Sequence, residues 1–284
     1  MLRSYQDKDF EQVTQMINNA RPLYSMLDTD AILEKSIEFI VYVEKDEIHG
    51  IAYATSVIND ASEYEAQIKV YVEPPYRLRD IGRLLVSYIE RELNKRNLDL
   101  ITSYMRIDID NPAGFCNKLG FEKWWGSPEL SYVGVGFPEV GEEFVPYEDK
   151  YFDRYLKVVQ ESFYDIHVKN DIKPYLATEE IVRKYKLHDK ENVYLLIEED
   201  RILGSVTVGK GTVENLMVSK AAQGRSIGKK ALQFAINKML NQGYEEIRIC
   251  YMEGNASAEK LYFSLGFTPL HRTHVYRKVI NGSL

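Results

Sequence analysis

The sequence predicts a duplicated α/β protein, two successive domains that share one order of helices and strands. Two observations lead there. The stretch "VYVEPPYRLRDIGRLL" (70–85) lays over "LMVSKAAQGRSIGKKA" (216–231) without a gap, setting Val72 on Val218, Arg79 on Arg225, Ile81 on Ile227 and Gly82 on Gly228. The same offset of 146 residues sets "KLGF" (118–121) on "SLGF" (264–267). A chain of 284 residues holds two domains, on a usual size of roughly 150 residues each. The Gly- and Pro-rich "GVGFPEVG" (134–141) reads as the connection, dividing the chain into domains 1–137 and 138–284.

The elements follow in the same order in both halves. A helix opens each half, over about 8–19 and about 150–164, and a second helical stretch follows. The runs "EFIVYVEKDEIHGIAYATSV" and "ENVYLLIEEDRILGSVTVGK" are strand pairs, each broken by a charged hairpin turn. Next come a further strand, a turn and a long helix. In the second half Leu232, Ala235, Ile236, Met239 and Leu240 fall at helical spacing. An alternating strand ("DLITSYMRI"; "EEIRICYM"), a short helix and a last strand after Gly-Phe complete each half.

Composition removes several function classes. An apolar fraction of 45% without low-complexity tracts describes a well-cored chain. Two cysteines, Cys116 and Cys250, make no disulfide framework and suit a reducing compartment. The five histidines are scattered, and His271 and His274 stand three apart on a strand, so no metal site is expected. A net charge of −7 argues against nucleic acid. The opening "MLRSYQDKDFEQV" has no apolar leader core and no run reaches transmembrane length, so a cytoplasmic protein without membrane partners is expected.

The segment "VSKAAQGRSIGKKAL" (218–232) carries the first chemical signal. A Gly-rich turn runs straight into a helix, where unpaired amides and the helix dipole favour an anion. Lys220, Arg225, Lys229 and Lys230 gather at that helix start, against the dipole, which favours a bound polyanion such as phosphate.

Strand, Arg/Gln-x-x-Gly-x-Gly/Ala and helix, followed later by Asn-x-x-Ala-x-x-x-Tyr-x-x-x-Gly-Phe, resembles the GCN5-related N-acetyltransferase (GNAT) family, once per half. "NASAEKLYFSLGF" supplies Asn255, Ala258, Tyr262, Gly266 and Phe267 in full; Ser226 stands where the family usually has Gly. The resemblance implies two tandem GNAT-like domains, each a mixed, mostly antiparallel sheet flanked by helices, with acetyl-CoA as co-substrate. It implies that the pyrophosphate lies over Gln223, Gly224, Arg225, Ser226, Ile227, Gly228 and Lys229, and that pantetheine lies along Leu216, Met217 and Val218. It further implies that Asn255 bonds the coenzyme arm and Tyr262 protonates the leaving thiolate. Glu214, four residues before Val218, is the candidate general base. The plainer alternatives are a solvent-facing carboxylate for Glu214 and a packed core tyrosine for Tyr262.

The same offset places Ile68, Asp80, Ile109 and Cys116 at the positions of Glu214, Ser226, Asn255 and Tyr262, while Arg77 and Gly82 take those of Gln223 and Gly228. A slip of two residues would bring Asn111 to the Asn255 position. Asp80 would repel a pyrophosphate by about 1–4 kcal/mol, so the first half is expected to be a scaffold that binds no acetyl-CoA. The expected reaction is acetyl transfer to a primary amine by direct attack in a ternary complex. A small cationic acceptor suits the net charge of −8 on residues 1–141; a peptide amine is the other acceptor class. A CoA-binding sensor without catalysis is the competing function. Acceptor choice is expected to lie in Tyr151–His167 and Asp171–Lys186.

Overall fold

The computed structural model describes residues 1–20, 28–109, 111–139 and 141–280. The first run of elements is β1 (Leu2–Ser4), α1 (Phe10–Ala20), α2 (Thr29–Lys35), β2 (Ser36–Glu44), β3 (Glu47–Ile58), β4 (Tyr64–Val72), α3 (Ile81–Leu93), β5 (Leu100–Arg106), α4 (Ala113–Lys118) and β6 (Glu122–Tyr132). The second is β7 (Phe144–Pro146), α5 (Phe152–Lys169), α6 (Glu179–Ile181) with a π-helical turn Val182–Lys186, β8 (Val193–Glu198), β9 (Arg201–Val208), β10 (Thr212–Val218), α7 (Ile227–Asn241), β11 (Ile247–Cys250), α8 (Ala256–Ser264) and β12 (Thr268–Val279).

The compact units differ from the expected domains 1–137 and 138–284. Unit 1 comprises Met1–Trp125 with Thr273–Leu284, and unit 2 comprises Gly126–Arg272. The reason is an exchange of the last strand of each repeat. In unit 1 the sheet runs β1-β2-β3-β4-β5-β12, with Thr273–Val279 lying antiparallel to β5. In unit 2 it runs β6-β11-β10-β9-β8-β7, with Glu129–Tyr132 lying antiparallel to β11. Each unit pairs its strands antiparallel except at one parallel step, β4 with β5 and β10 with β11.

The expected linker is not a free connection. Asn237 on α7 grips it by accepting from the Phe137 N–H at 2.7 Å and donating to the Phe137 carbonyl at 2.9 Å. Of that segment, Val140 lies outside the described residues.

Both sheets are covered on two faces. In unit 1, Ile81, Leu85, Val86, Ile89 and Leu93 of α3 bury against one face, and Val13, Met16 and Ile17 of α1 against the other. In unit 2 the same places are taken by α7 and α5. Gly50 and Gly204 allow the close approach of α3 and α7. A Cβ at Gly50 would lie 2.9 Å from Leu85 Cδ1, and one at Gly204 2.7 Å from Ile227 Cγ2.

Those two glycines also show where the repeats differ in length. Gly50 pairs with Val72 and Gly204 with Val218, so the repeats are 154 residues apart before this hairpin and 146 after it. The β3–β4 hairpin is the longer one.

Tyr276 belongs by sequence to the second repeat, yet it is 2% exposed in the core of unit 1. Tyr276→Ala should destabilise the protein by about 3–5 kcal/mol. Hydrogen exchange should show the lost protection in Ile81–Leu93 and Leu100–Arg106. A loss centred on α7 instead would contradict the exchanged-strand arrangement.

Candidate functional site

Strand β10 carries an irregularity that β4 lacks. Against β9, Glu214 is opposite Thr207 and Met217 opposite Ser205, leaving two residues, Asn215 and Leu216, across from Val206. Asn215 takes a left-handed φ of +48°. This is a β-bulge, one extra residue that bends its strand away from regular pairing. On the other side β10 pairs with β11 only at Thr212–Arg248 and Val213–Ile249. Beyond that point β10 and β11 have no register pairs with each other among the described residues. Leu216, Met217 and Val218 therefore border a gap in the sheet that begins beside Glu214 and Cys250.

At the C-terminal end of β10 the chain passes through a 3-10 turn, Lys220–Ala222, into the start of α7. Gly224 has φ +80° and Ser226 φ +61°. Ser226 thus holds the left-handed conformation that glycine usually provides, at a cost of about 1–2 kcal/mol. Its side chain makes no cap bond. The amides of Ile227, Gly228 and Lys229 have no acceptor among the described residues. Gly228 has a packing role as well, since a Cβ there would lie 3.3 Å from Leu261 Cδ2.

The lysine and arginine cluster is mostly engaged elsewhere. Arg225 makes a bidentate pair with Glu198 at 2.9 and 3.0 Å, Lys220 lies 3.1 Å from Asp165, and Lys230 pairs with Glu142. Lys229 alone of the four has no ion pair among the described residues. The turn's capacity for an anion therefore rests on its free amides and Lys229, and Gln223 is exposed beside them.

Asn255 has a local duty that sequence reasoning did not assign. Its Oδ1 accepts from the Ala258 N–H at 3.1 Å, capping α8. Its amide group makes no hydrogen bond among the described residues, so it is available to a ligand. Tyr262 is 5% exposed, with its ring against Tyr251 and Phe267. Its hydroxyl makes no hydrogen bond among the described residues. Burial, with Cys250 and Tyr251 nearby, pushes the phenol well above its ordinary value. A phenol held protonated in this way can still donate.

The Glu214 carboxylate is partly exposed and lies 3.8 Å from His188 Nε2. Around it stand residues for which the sequence offered no motif. Cys250 ends β11 opposite Glu129 of β6. Burial and then Glu129 raise its thiol, against a lowering hydrogen bond with Ser127. Lys186, at the end of the π-helical turn, lies 4.0 Å over the Phe163 ring. Burial pushes Lys186 down to about 8, opposed by Cys250 and Glu214. His167 Nδ1 is buried without a partner, and burial and then Lys186 lower the ring's pKa. Only the ranges Tyr151–His167 and Asp171–Lys186 pointed to these side chains in advance.

Unit 1 builds the corresponding region differently. Tyr53 is the counterpart of Thr207, and its partner is Lys69. The bulge residue shifts the register by one, so the counterpart of Glu214 is Lys69 and not Ile68. Lys69 Nζ donates to the Tyr104 carbonyl at 3.3 Å, and burial pushes it down to about 8. The β4 ladder is unbroken from Tyr64 to Val72. Ser103 Oγ crosses from β5 to donate to the Ile68 carbonyl at 2.9 Å. Cys116 and Phe115 help close a cavity of about 10 Å³ there, no more than about one water needs. Asp80, with φ +63°, faces Arg83 at 3.1 Å. Asn111 accepts from the Ala113 N–H at 3.2 Å ahead of α4, so the two-residue slip does supply an asparagine at this helix start.

Lys69 and Lys186, both near 8 rather than 10.5, make a pH test of this burial. The folded chain binds fewer protons than the unfolded one between about 8 and 10.5, so these groups make stability rise with pH there. Cys116, raised to about 12 by burial, and Cys250, also raised, oppose this above about pH 9. Tyr53, raised to about 12 by burial, with Tyr155 and Tyr262, also raised, turns the slope downward above about pH 10. Urea midpoints should climb from about pH 8 to 9, and Lys69→Met with Lys186→Met should abolish the climb. A flat wild-type profile would show that neither lysine is desolvated.

Comparison with known proteins agrees with this architecture. Residues 160–267 match the Acetyltransferase (GNAT) family and residues 35–123 match the Acetyltransferase (GNAT) domain, together well over half of the chain. A Bacillus subtilis (strain 168) protein named Uncharacterized N-acetyltransferase YobR is 28% identical over 92 residues, which is 32% of this chain and about a third (34%) of that relative's length. The crystal structure of a GCN5-related N-acetyltransferase from Sphaerobacter thermophilus superposes with a TM-score of 0.70 at 18% identity, covering 100% of this chain and 96% of that one. A tandem GNAT protein from the clavulanic acid biosynthesis pathway superposes with a TM-score of 0.61 at 13% identity, covering 100% and 99%. No helix among the described residues is long and apolar enough to cross a membrane. With one family match in each repeat, the chain belongs to the GNAT acetyltransferases as a tandem member.

Proposed function

We propose that unit 2 transfers an acetyl group from acetyl-CoA, the co-substrate of this family, to a primary amine, and that unit 1 is a scaffold without a coenzyme site. The observation that carries the reading is the bulge in β10. It lies where β10 has parted from β11, beyond Val213, between a turn with free amides and a buried tyrosine with a free hydroxyl. Pantetheine fits along Leu216–Met217–Val218 as an added strand. The pyrophosphate suits the amides from Gln223 to Lys229, and Asn255 can donate to the coenzyme arm. In a ternary complex the neutral amine attacks the thioester carbon, the N–C bond forms and the C–S bond breaks. One amine proton passes to Glu214, directly or through water, and the thiolate takes a proton from Tyr262; both groups are restored by exchange with water. An amine with a pKa near 10 is only about one part in a thousand neutral at pH 7, so a base beside it has work to do.

Calorimetric titration of acetyl-CoA tests the placement. Wild type should bind one equivalent, Asp80→Gly should leave that number at one, and Gly224→Asp should abolish binding. A Cβ at Gly224 meets nothing within 4 Å, but its φ of +80° strains any side chain, so Gly224→Asn, equally strained and uncharged, should keep binding and separates charge from backbone strain. Two sites in the wild type would overturn the scaffold reading. Thiol-release assays test the chemistry: Glu214→Gln and Tyr262→Phe should each lower kcat by about 10²-fold or more. Full activity in either variant would remove that residue from the mechanism.

A further inference from the structure

Two residues before His188, which lies 3.8 Å from Glu214 at the acceptor end of the gap, the chain holds a cation with no ion pair among the described residues, although Glu214 and Cys250 act on its charge. Lys186 Nζ has no hydrogen-bond acceptor and no ion pair among the described residues, only the face of Phe163 at 4.0 Å. The lysines and arginine near the coenzyme turn contrast with it, since Lys220, Arg225 and Lys230 each have an acidic partner. An unpaired ammonium in a desolvated position is costly, and its pKa is lowered accordingly. A second polar atom beside it is also unsatisfied. His167 Nδ1 is buried without a partner, its ring lies 5.8 Å from Phe163, and Lys186 acts on its charge. Phe163 and His167 come from α5 and Lys186 from the π-helical turn, so two elements converge on one apolar wall with a cation at its edge.

We propose that Lys186 binds a carboxylate of the acceptor, so that the amine acetylated at Glu214 belongs to an amino carboxylate and not to a polyamine. The assignment rests on the acetyl-transfer reading of unit 2. Glu214 takes the ammonium end of such a molecule, Lys186 its carboxylate end, and Phe163 the carbon chain between them. A polyamine would set a second ammonium against Lys186, a repulsion worth about fivefold in affinity at 4 Å even in water. The acidity of residues 1–141 does not reverse this preference, because long-range fields are screened over about 8 Å at physiological salt. Within the pocket the local cation decides.

The test compares acceptors that differ only by the carboxylate, at saturating acetyl-CoA: 4-aminobutyrate with propylamine, 6-aminohexanoate with pentylamine, leucine with 3-methylbutylamine, tyrosine with tyramine. At least one acid should exceed its amine by about 10–100-fold in kcat/KM, the usual value of a charged hydrogen bond. Lys186→Met should bring the ratio to within about threefold, and Lys186→Arg should keep the preference. Acetyl-CoA affinity reports whether each variant is folded. Ligand-observed NMR repeats the comparison without turnover, using 4-acetamidobutyrate against N-propylacetamide. Amines preferred over acids in every pair, or an acidic product that binds no better than its neutral partner or equally well to Lys186→Met, overturns the carboxylate site and leaves acetyl transfer standing. Failure of the wild type to bind acetyl-CoA at all overturns the acetyl-transfer reading itself.

Discussion

The parting of β10 from β11 governs the rest of unit 2. The parallel ladder ends at nearly the same place in both units, β4 with β5 at Gln67 and β10 with β11 at Val213. In unit 2 alone a bulge at Asn215–Leu216 then bends the freed strand. Main chain that would have been satisfied within the sheet is left facing a gap, and buried main chain without partners is expensive. Such a gap suits a ligand that brings its own amides, and pantetheine is one. The bulge also fixes what stands around the entrance. Glu214 lies just before it, Met217 returns to the ladder just after it, and the chain then reaches the turn ahead of α7.

The duplication was legible in the sequence because its strongest markers are steric. Gly120 and Gly266 share φ values of +79° and +90°, and Asp80 and Ser226 share +63° and +61°. Backbone conformations of that kind restrict residue choice, so the turn and the Gly-Phe step keep their spacing across both repeats. The helices were legible for the usual reason of apolar periodicity. The unit boundary was not, because an exchanged strand looks the same to the sequence whichever sheet receives it. Tyr276 and Leu130 carry an alternating pattern that demands one buried face. Neither pattern says which sheet provides the cover.

The site was legible where a motif held it and illegible where register decided. Asn255 and Tyr262 sit in one short helix whose spacing is local, and their neighbours follow from it. Ile68 was the wrong counterpart for Glu214 because an ungapped offset cannot see a one-residue bulge. The cationic turn misled for another reason: sequence counts charges but does not show their partners. Glu198, Asp165 and Glu142 are distant in the chain and yet absorb three of the four cations. Lys186 carried the opposite lesson, a lysine without a motif that has no ion pair among the described residues.

The two units show how the same scaffold can lose or keep a site through its hydrogen bonds. In unit 1 side chains bridge the place where β4 parts from β5: Lys69 takes the Tyr104 carbonyl, Ser103 takes the Ile68 carbonyl, and Cys116 lies against Met105 at 3.5 Å. About 10 Å³ is left there. The first amides of α3 and α7 are alike without acceptors among the described residues, so the difference lies in the side chains. In unit 2 the Tyr262 hydroxyl, the Asn255 amide, Lys186 and His167 Nδ1 make no hydrogen bond among the described residues. The buried ones among them, the Tyr262 hydroxyl and His167 Nδ1, are costly because burial removes water and gives nothing back. The acetyl-transfer proposal assigns those unmet bonds to two substrates, one along β10 and one against α5.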